Sequence, residues 1–237
     1  MDCAALSVRG LSVSFSRLDV VNYVSFDVRD GQTLGVIGES GCGRMATASA
    51  ILDQLDPGAR VDGAVMRGGV DLNQAAPGGA SPTRARIAVP SWAARSRRHG
   101  DPVSAPTVGR HGAAGLATSF ARRFPAELSA GQRQRTAIAR ALILKPEIVV
   151  GDEAVGALDV SVQAQVRNLL ESLQRDEGVS DVFILRNTAA VRHISDPSVV
   201  LYLGCAMEEI SAGDIRARVR HSAVCMRSDL VRARVGF

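Results

Sequence analysis

The chain has 237 residues, 46% of them hydrophobic and 22% charged, with a formal net charge of +4. That length and apolar content are enough for one buried core, which excludes a disordered chain and a small fold held together by disulfides. No apolar run reaches the roughly 18 residues of a membrane span, and the N-terminus lacks the basic-then-apolar layout of a signal peptide, so a cytoplasmic chain is expected.

The first third reads as strands. Leu11, Val13 and Phe15 alternate with serines, and Val24, Phe26 and Val28 alternate with Ser25 and Asp27, the two-residue period of an antiparallel sheet with one buried face. Thr33-Leu34-Gly35-Val36-Ile37 is continuously apolar after Thr33, as a parallel strand buried on both faces is. It leads into Gly38-Glu39-Ser40-Gly41-Cys42-Gly43-Arg44-Met45 and a helical stretch from Arg44 to Leu55. Glycines at the end of a buried strand let successive amides turn inward around an anion, and the following helix adds the positive end of its dipole. Phosphate binding is the reading of that context, with an ordinary strand-to-helix turn as the plain alternative.

Between about Arg67 and Gly115 the pattern dissolves into Gly, Pro, Ala and Arg, with Ile87-Ala88-Val89 as a short strand. Order returns with a helix over Gly131 to Leu144, closed by Pro146, and the strand Ile148-Val149-Val150, which runs into Gly151-Asp152-Glu153. Val162, Val166, Leu169, Leu170 and Leu173 share one helix face. Asp181 to Leu185 and Ser198 to Tyr202 are two further buried strands. Strands alternating with helices give an α/β fold on a mainly parallel sheet.

The basic balance comes from arginine, since Lys145 is the one lysine in the chain. Aromatic residues make up 4%, too few for stacking platforms along a single strand, so no nucleic acid is expected as a partner. The arginines of Arg95-Ser96-Arg97-Arg98 and Arg122-Arg123 read as solvated charges. Cys3, Cys42, Cys205 and Cys225 form no C-x-x-C pair, and His99, His111, His193 and His221 show no ligand spacing. Neither a zinc site nor a disulfide framework follows.

Three segments taken together carry a resemblance. Gly38 to Met45, Leu128-Ser129-Ala130-Gly131-Gln132 and Ile148 to Glu153 resemble the phosphate loop, signature and Walker B strand of ATP-binding-cassette (ABC) ATPases. Gly156-Ala157-Leu158-Asp159 is similar to their D-loop. The wording of Ala157 to Val166 and of Val191 to Asp196 resembles the branch that energises oligopeptide, dipeptide and nickel importers. The resemblance covers Leu6 to about Ile210. It implies a P-loop NTPase-type α/β fold with a mainly parallel sheet, an antiparallel β subdomain and a reduced helical subdomain. One domain then fills residues 1–237: a β-rich part and core over 1–90, the shortened helical subdomain over about 91–135, core again over 136–210, and a C-terminal tail over 211–237.

The resemblance also implies roles. Gly38, Glu39, Ser40, Gly41, Cys42, Gly43, Arg44 and Met45 would hold the phosphates of ATP. Asp152 would hold Mg²⁺ through water, and Glu153 would act as the catalytic residue, polarising the attacking water. Ser129, Ala130, Gly131 and Gln132 would face the ATP of a second ABC nucleotide-binding subunit, in a homo- or heterodimer. Ala157, Leu158 and Asp159 form the D-loop. Phe15 would stack on adenine, or else fill a plain core position. An integral-membrane permease completes the expected complex, which places the chain peripherally on the inner face of the plasma membrane.

Several positions depart from the family's pattern. Arg44 replaces the phosphate-loop lysine; it keeps the charge, but its planar fork does not fit the slot of an ammonium. Met45 replaces a hydroxyl, and a thioether is a poor ligand for hard Mg²⁺, while Thr47 points elsewhere on the helix. Pro90 stands at the glutamine-loop position, Arg186 at the switch histidine, and Ala130 at a signature glycine. Losing one preorganised charge-stabilising group slows turnover by roughly 10²–10³, so weak intrinsic hydrolysis is expected. A non-hydrolysing binding or regulatory module, or a decayed paralogue, is the alternative.

Overall fold

The computed structural model describes residues 4–74, 87–88, 127–142, 145–152, 160–185, 195 and 197–211. Pro90, Glu153, Ala157, Leu158, Asp159 and Arg186 lie outside them, as do the stretch read as most of the helical subdomain and nearly all of the C-terminal tail. Of Ala130 and Asp152 the backbone alone is described.

Two sheets share one core. The first is antiparallel, with strand order β2-β1-β4-β5, where β1 is Ala4–Phe15, β2 Leu18–Arg29, β4 Ala59–Arg67 and β5 Val70–Asp71. The second has order β10-β9-β3-β8-β7-β6, from β3 Thr33–Gly38, β6 Ile87–Ala88, β7 Ile148–Asp152, β8 Ser180–Leu185, β9 Pro197–Tyr202 and β10 Cys205–Ser211. Its strands β9, β3, β8, β7 and β6 run parallel, and β10 adds an antiparallel edge. The helices are α1 Arg44–Leu52, α2 Ala130–Ala141 and α3 Val160–Glu177.

Period-two patterning explains the first sheet once its bulges are counted. Leu6, Val8, Leu11 and Val13 of β1 are all buried although Val8 and Leu11 are three apart, because the register with β2 slips between them. An extra residue there returns the chain to the same face. A second slip lies between Val21 and Val24 of β2, around Tyr23, whose φ of 52° is left-handed. The continuous apolar run of β3 is buried along its length up to Ile37, as expected for a strand covered on both sides. Helix α1 brings Ala46, Ala48, Ala50 and Ile51 into the same core as Leu11, Val36 and Ile184. Small alanines let the helix approach both sheets closely.

Helix α1 ends at Leu52, three residues earlier than the apolar pattern predicts, because Asp53 turns left-handed (φ 56°) and its amide returns to Ala50 O at 3.2 Å. Strand β10 falls outside the predicted elements: Ile210 is its one buried residue, so no alternation marks it.

The N-terminal edge of the parallel sheet holds a buried carboxylate. Asp181 is the second residue of β8 and is 1% exposed; its Oδ2 accepts from Gln174 Nε2 of α3 at 2.9 Å and from the Thr33 hydroxyl at 3.4 Å, while Oδ1 has no partner. Burial pushes its pKa up from 3.8 to about 7, and the Gln174 and Thr33 hydrogen bonds offset only part of that. The folded state therefore holds a proton that the unfolded chain releases near pH 3.8. This carboxyl's contribution to stability is fully present below that value and is lost as pH rises through about 7, by an amount on the order of 4 kcal/mol. Asp181→Asn should flatten that part of the stability–pH curve and raise the melting temperature at pH 8. Urea melts of both proteins at pH 5 and pH 8 check this: an equal pH dependence in the two would contradict it.

Candidate functional site

The C-terminal edge of the parallel sheet is where the candidate residues gather. In an open α/β sheet this is the edge at which loops leave the strands and ligands bind. Strand β3 ends at Gly38 and β7 ends at Asp152, with β8 between them in register: Ile37 pairs Leu185 and Asp152 pairs Ile184. The residues from Glu39 to Gly43 link β3 to α1, turning where Cys42 N donates to Glu39 O at 3.2 Å.

Backbone crowding shapes this loop. A side chain at Gly38 would run into the Cys42 sulfur and the Leu201 carbonyl. Gly43, the N-cap of α1, has φ 93°, and a Cβ there would lie 2.5 Å from Val20 O. No side chain caps this helix end; the Gly43 carbonyl instead accepts from Thr47 N at 2.9 Å and from the Thr47 hydroxyl at 3.0 Å. The Arg44 amide is engaged by the Cys42 sulfur, and the rest of this uncapped helix start presents its positive end, the arrangement that suits an anion.

Beside the loop lies a cavity of about 330 Å³. Its walls are Ser40 to Ala46 of the loop and α1, Ser49, the turn Gln54 to Asp56, and Phe15 with Val20 from the antiparallel sheet. The cavity is thus lined both by the loop backbone and by a half-buried aromatic residue. Phe15 both packs against the core and lines the cavity, so the two readings of it are compatible. Val20, Ser49, Gln54, Leu55 and Asp56 carry no motif, and sequence alone did not mark them.

Arg44 and Met45 part ways at the start of α1. Met45 is about half exposed and lines the cavity. Arg44 is 4% exposed, and its guanidinium bonds the Cys42 thiol. Burial pushes the Cys42 pKa up, partly countered by hydrogen bonds from the Arg44 amide and guanidinium and by the arginine's charge. Cys42 is thus held as a neutral thiol under the loop. Thr47 is buried and its hydroxyl is given to the Gly43 carbonyl, so it faces away from the cavity as its helix position predicts.

Ser129 stands at the start of α2 in a reciprocal cap: its Oγ accepts from Gln132 N at 3.3 Å, and Gln132 Oε1 accepts from Ser129 N at 2.9 Å. This Ser-x-x-Gln pairing is the capping box. Gly131 is buried one residue into the helix.

Comparison with known proteins agrees with this architecture. Residues 21–156 match the ABC transporter family. A probable peptide ABC transporter ATP-binding protein of Sinorhizobium fredii is 36% identical over 211 residues, covering 79% of this chain and 58% of that protein. The oligopeptide transport ATP-binding protein OppF of Escherichia coli is 39% identical over 212 residues, covering 81% of this chain and 63% of its own length. The chain thus spans about three fifths of these two relatives. Among solved structures, a nucleotide-free ATP-binding cassette from an ABC transporter superposes with a TM-score of 0.79 at 16% identity, over 95% of this chain and 98% of the other. An ADP conformation of another such cassette gives 0.78 at 17% identity, over 94% and 99%.

The capping box makes a direct prediction. Ser129→Ala should destabilise the protein by about 1 kcal/mol, and Ser129→Gly by only a few tenths. Equal losses in urea melts would mean that the serine oxygen does not cap α2.

Proposed function

Because this chain belongs to the ABC transporter ATP-binding family, we propose that it is the ATP-binding subunit of an importer of peptide-like solutes, with its own ATP site impaired in hydrolysis. A single cassette spans the chain, with a shortened helical subdomain. It pairs with a second ABC nucleotide-binding subunit and docks beneath an integral-membrane permease on the cytoplasmic side. No helix among the described residues is long and apolar enough to cross a membrane, and the span is left to that permease. The observation that carries the proposal is the glycine loop joining the end of β3 to the uncapped start of α1 beside a cavity, in a chain whose relatives are peptide-transport ATP-binding proteins.

In this reading Gly38, Gly41 and Gly43, with the unengaged amides between them, bind the β- and γ-phosphates, and Phe15 offers its ring to the base. The signature residues Ser129 to Gln132, at the start of α2, face the nucleotide of the partner subunit, with Ser129 and Gly131 at its γ-phosphate. Glu153 orients water, and Asp152 ends β7 at the same edge as the loop. Magnesium, which this family uses, does not fit the start of α1: Met45 presents sulfur and the Thr47 hydroxyl is given to Gly43 O. Hard cations require oxygen ligands, so no hydrolytic step is assigned to a metal at this loop. Arg44 supplies charge, but from a guanidinium bonded to Cys42. These two residues also support the alternative, a nucleotide-binding module that does not hydrolyse.

Purified chain alone should therefore turn ATP over slowly. The double substitution Arg44→Lys with Met45→Ser should raise turnover by roughly 10²–10³. Brisk hydrolysis by the unmodified chain would overturn the impaired-site reading. Nucleotide binding without any rise in the double variant would favour the non-hydrolysing module.

A further inference from the structure

The phosphate loop is held in shape by a turn far away in sequence. Strands β9 and β10 are joined by Leu203-Gly204, and that turn is docked on two other segments through its backbone. Gly204 N donates to Cys42 O at 3.2 Å, and Asn22 N of β2 donates to Gly204 O at 2.7 Å. The Cβ position of Gly43 lies 3.5 Å from the Gly204 Cα and 2.5 Å from Val20 O. Three segments thus meet at the last two residues of the loop, where it enters α1.

We propose that Gly204 is a positioning residue for the candidate nucleotide site, the hairpin turn acting as a latch that sets the direction of the loop's final amides. The contact uses both polar groups of one peptide-bearing residue: the N–H holds the loop, and the C=O is held by β2. There is no room for a side chain in this junction. Gly204 has φ 81°, and a Cβ on it would lie 2.7 Å from Val20 O and 2.8 Å from Asn22 Nδ2. The turn itself is built against local preference: Leu203 has φ 44° and is 62% exposed. Leu203 and Gly204 both have positive φ, as a two-residue hairpin turn requires, and the exposed leucine gains no burial there to offset its own strain. The outward face of the loop is free for a ligand because its inner face is fixed to β2 and to this hairpin. The same geometry links the loop to β9, whose residues Ser198 to Leu201 pair with β3.

The affinity part of this proposal rests on reading the loop as a nucleotide site; the positioning part does not. The test is hydrogen exchange of the amides from Glu39 to Thr47 in the ligand-free full chain, together with ADP affinity, for wild type, Gly204→Ala, Leu203→Asn and Leu173→Ala. Leu173→Ala lies in α3 and serves as a variant destabilised away from the loop. Local opening is read residue by residue in such an experiment. Gly204→Ala should speed exchange over Glu39 to Thr47 by about tenfold and weaken ADP by a similar factor, whereas Leu173→Ala should do neither at matched loss of melting temperature. Leu203→Asn, whose side chain tolerates the left-handed turn, should slow loop exchange; this variant decides the matter if Gly204→Ala does not fold. Loop exchange unchanged in Gly204→Ala, or equally fast in Leu173→Ala, would overturn the latch, as would unchanged exchange in Leu203→Asn. If wild type fails to bind ADP while loop exchange follows the predicted order, the nucleotide reading falls and the latch stands.

Discussion

Everything at the functional edge depends on one steric constraint: backbone must pass within contact distance of backbone at both ends of the loop from Gly38 to Gly43. At Gly38 the approach is to Leu201 of β9 and to the Cys42 sulfur, and at Gly43 to Val20 of β2. Neither site admits a Cβ. The loop is thereby pressed against the sheet on its inner side; Cys42 N turns back to Glu39 O, and the loop lines the cavity on its other side. Without a capping side chain at Gly43, the start of α1 keeps its field exposed to whatever occupies that cavity. The proposed anion site is a consequence of packing, and the packing joins the two sheets.

The same constraint explains why substitutions at Arg44 and Met45 leave the fold intact. Cradle geometry is a property of glycines and of distant backbone, whereas the residues that follow supply charge and ligands. Arg44 retains a positive charge but spends a hydrogen bond on Cys42 beneath the loop. Met45 gives the cavity a soft, half-exposed sulfur in place of an oxygen. On the proposed reading, binding of a phosphate chain and catalysis of its hydrolysis separate physically: the first draws on backbone amides, the second on side chains such as those at Arg44 and Met45. On the proposed reading such a chain still has a place in a two-site assembly, because the serine and glutamine that cap the start of α2 are separate from the loop.

Much of this was legible in the residues. The run from Thr33 to Ile37 announced a strand buried on both faces, and glycines after it announced a turn, because both signals are local. Helix α3 was legible from its repeating apolar face. Other features escaped for physical reasons. Asp181 sits in a strand whose neighbours are apolar, and nothing local says that its carboxylate is sealed in by Gln174 and Thr33. Strand β10 has one buried residue and so no period. Helix α1 stops at Leu52 because Asp53 adopts a left-handed conformation, which the apolar spacing does not report. Gly204 acts through peptide groups on Cys42 and Asn22, and no pattern of side chains encodes a contact between backbones so far apart. The cavity walls at Ser49 and Gln54 to Asp56 arise in the same way, from the place where β4 pairs with Phe15.

The most direct test of the central claim is calorimetric titration of the full chain with ADP, with and without magnesium. If backbone amides hold the phosphates and the start of α1 has no oxygen for a metal, ADP binds saturably and magnesium changes its affinity little. No binding in either condition, or binding that appears only with magnesium, would contradict the account.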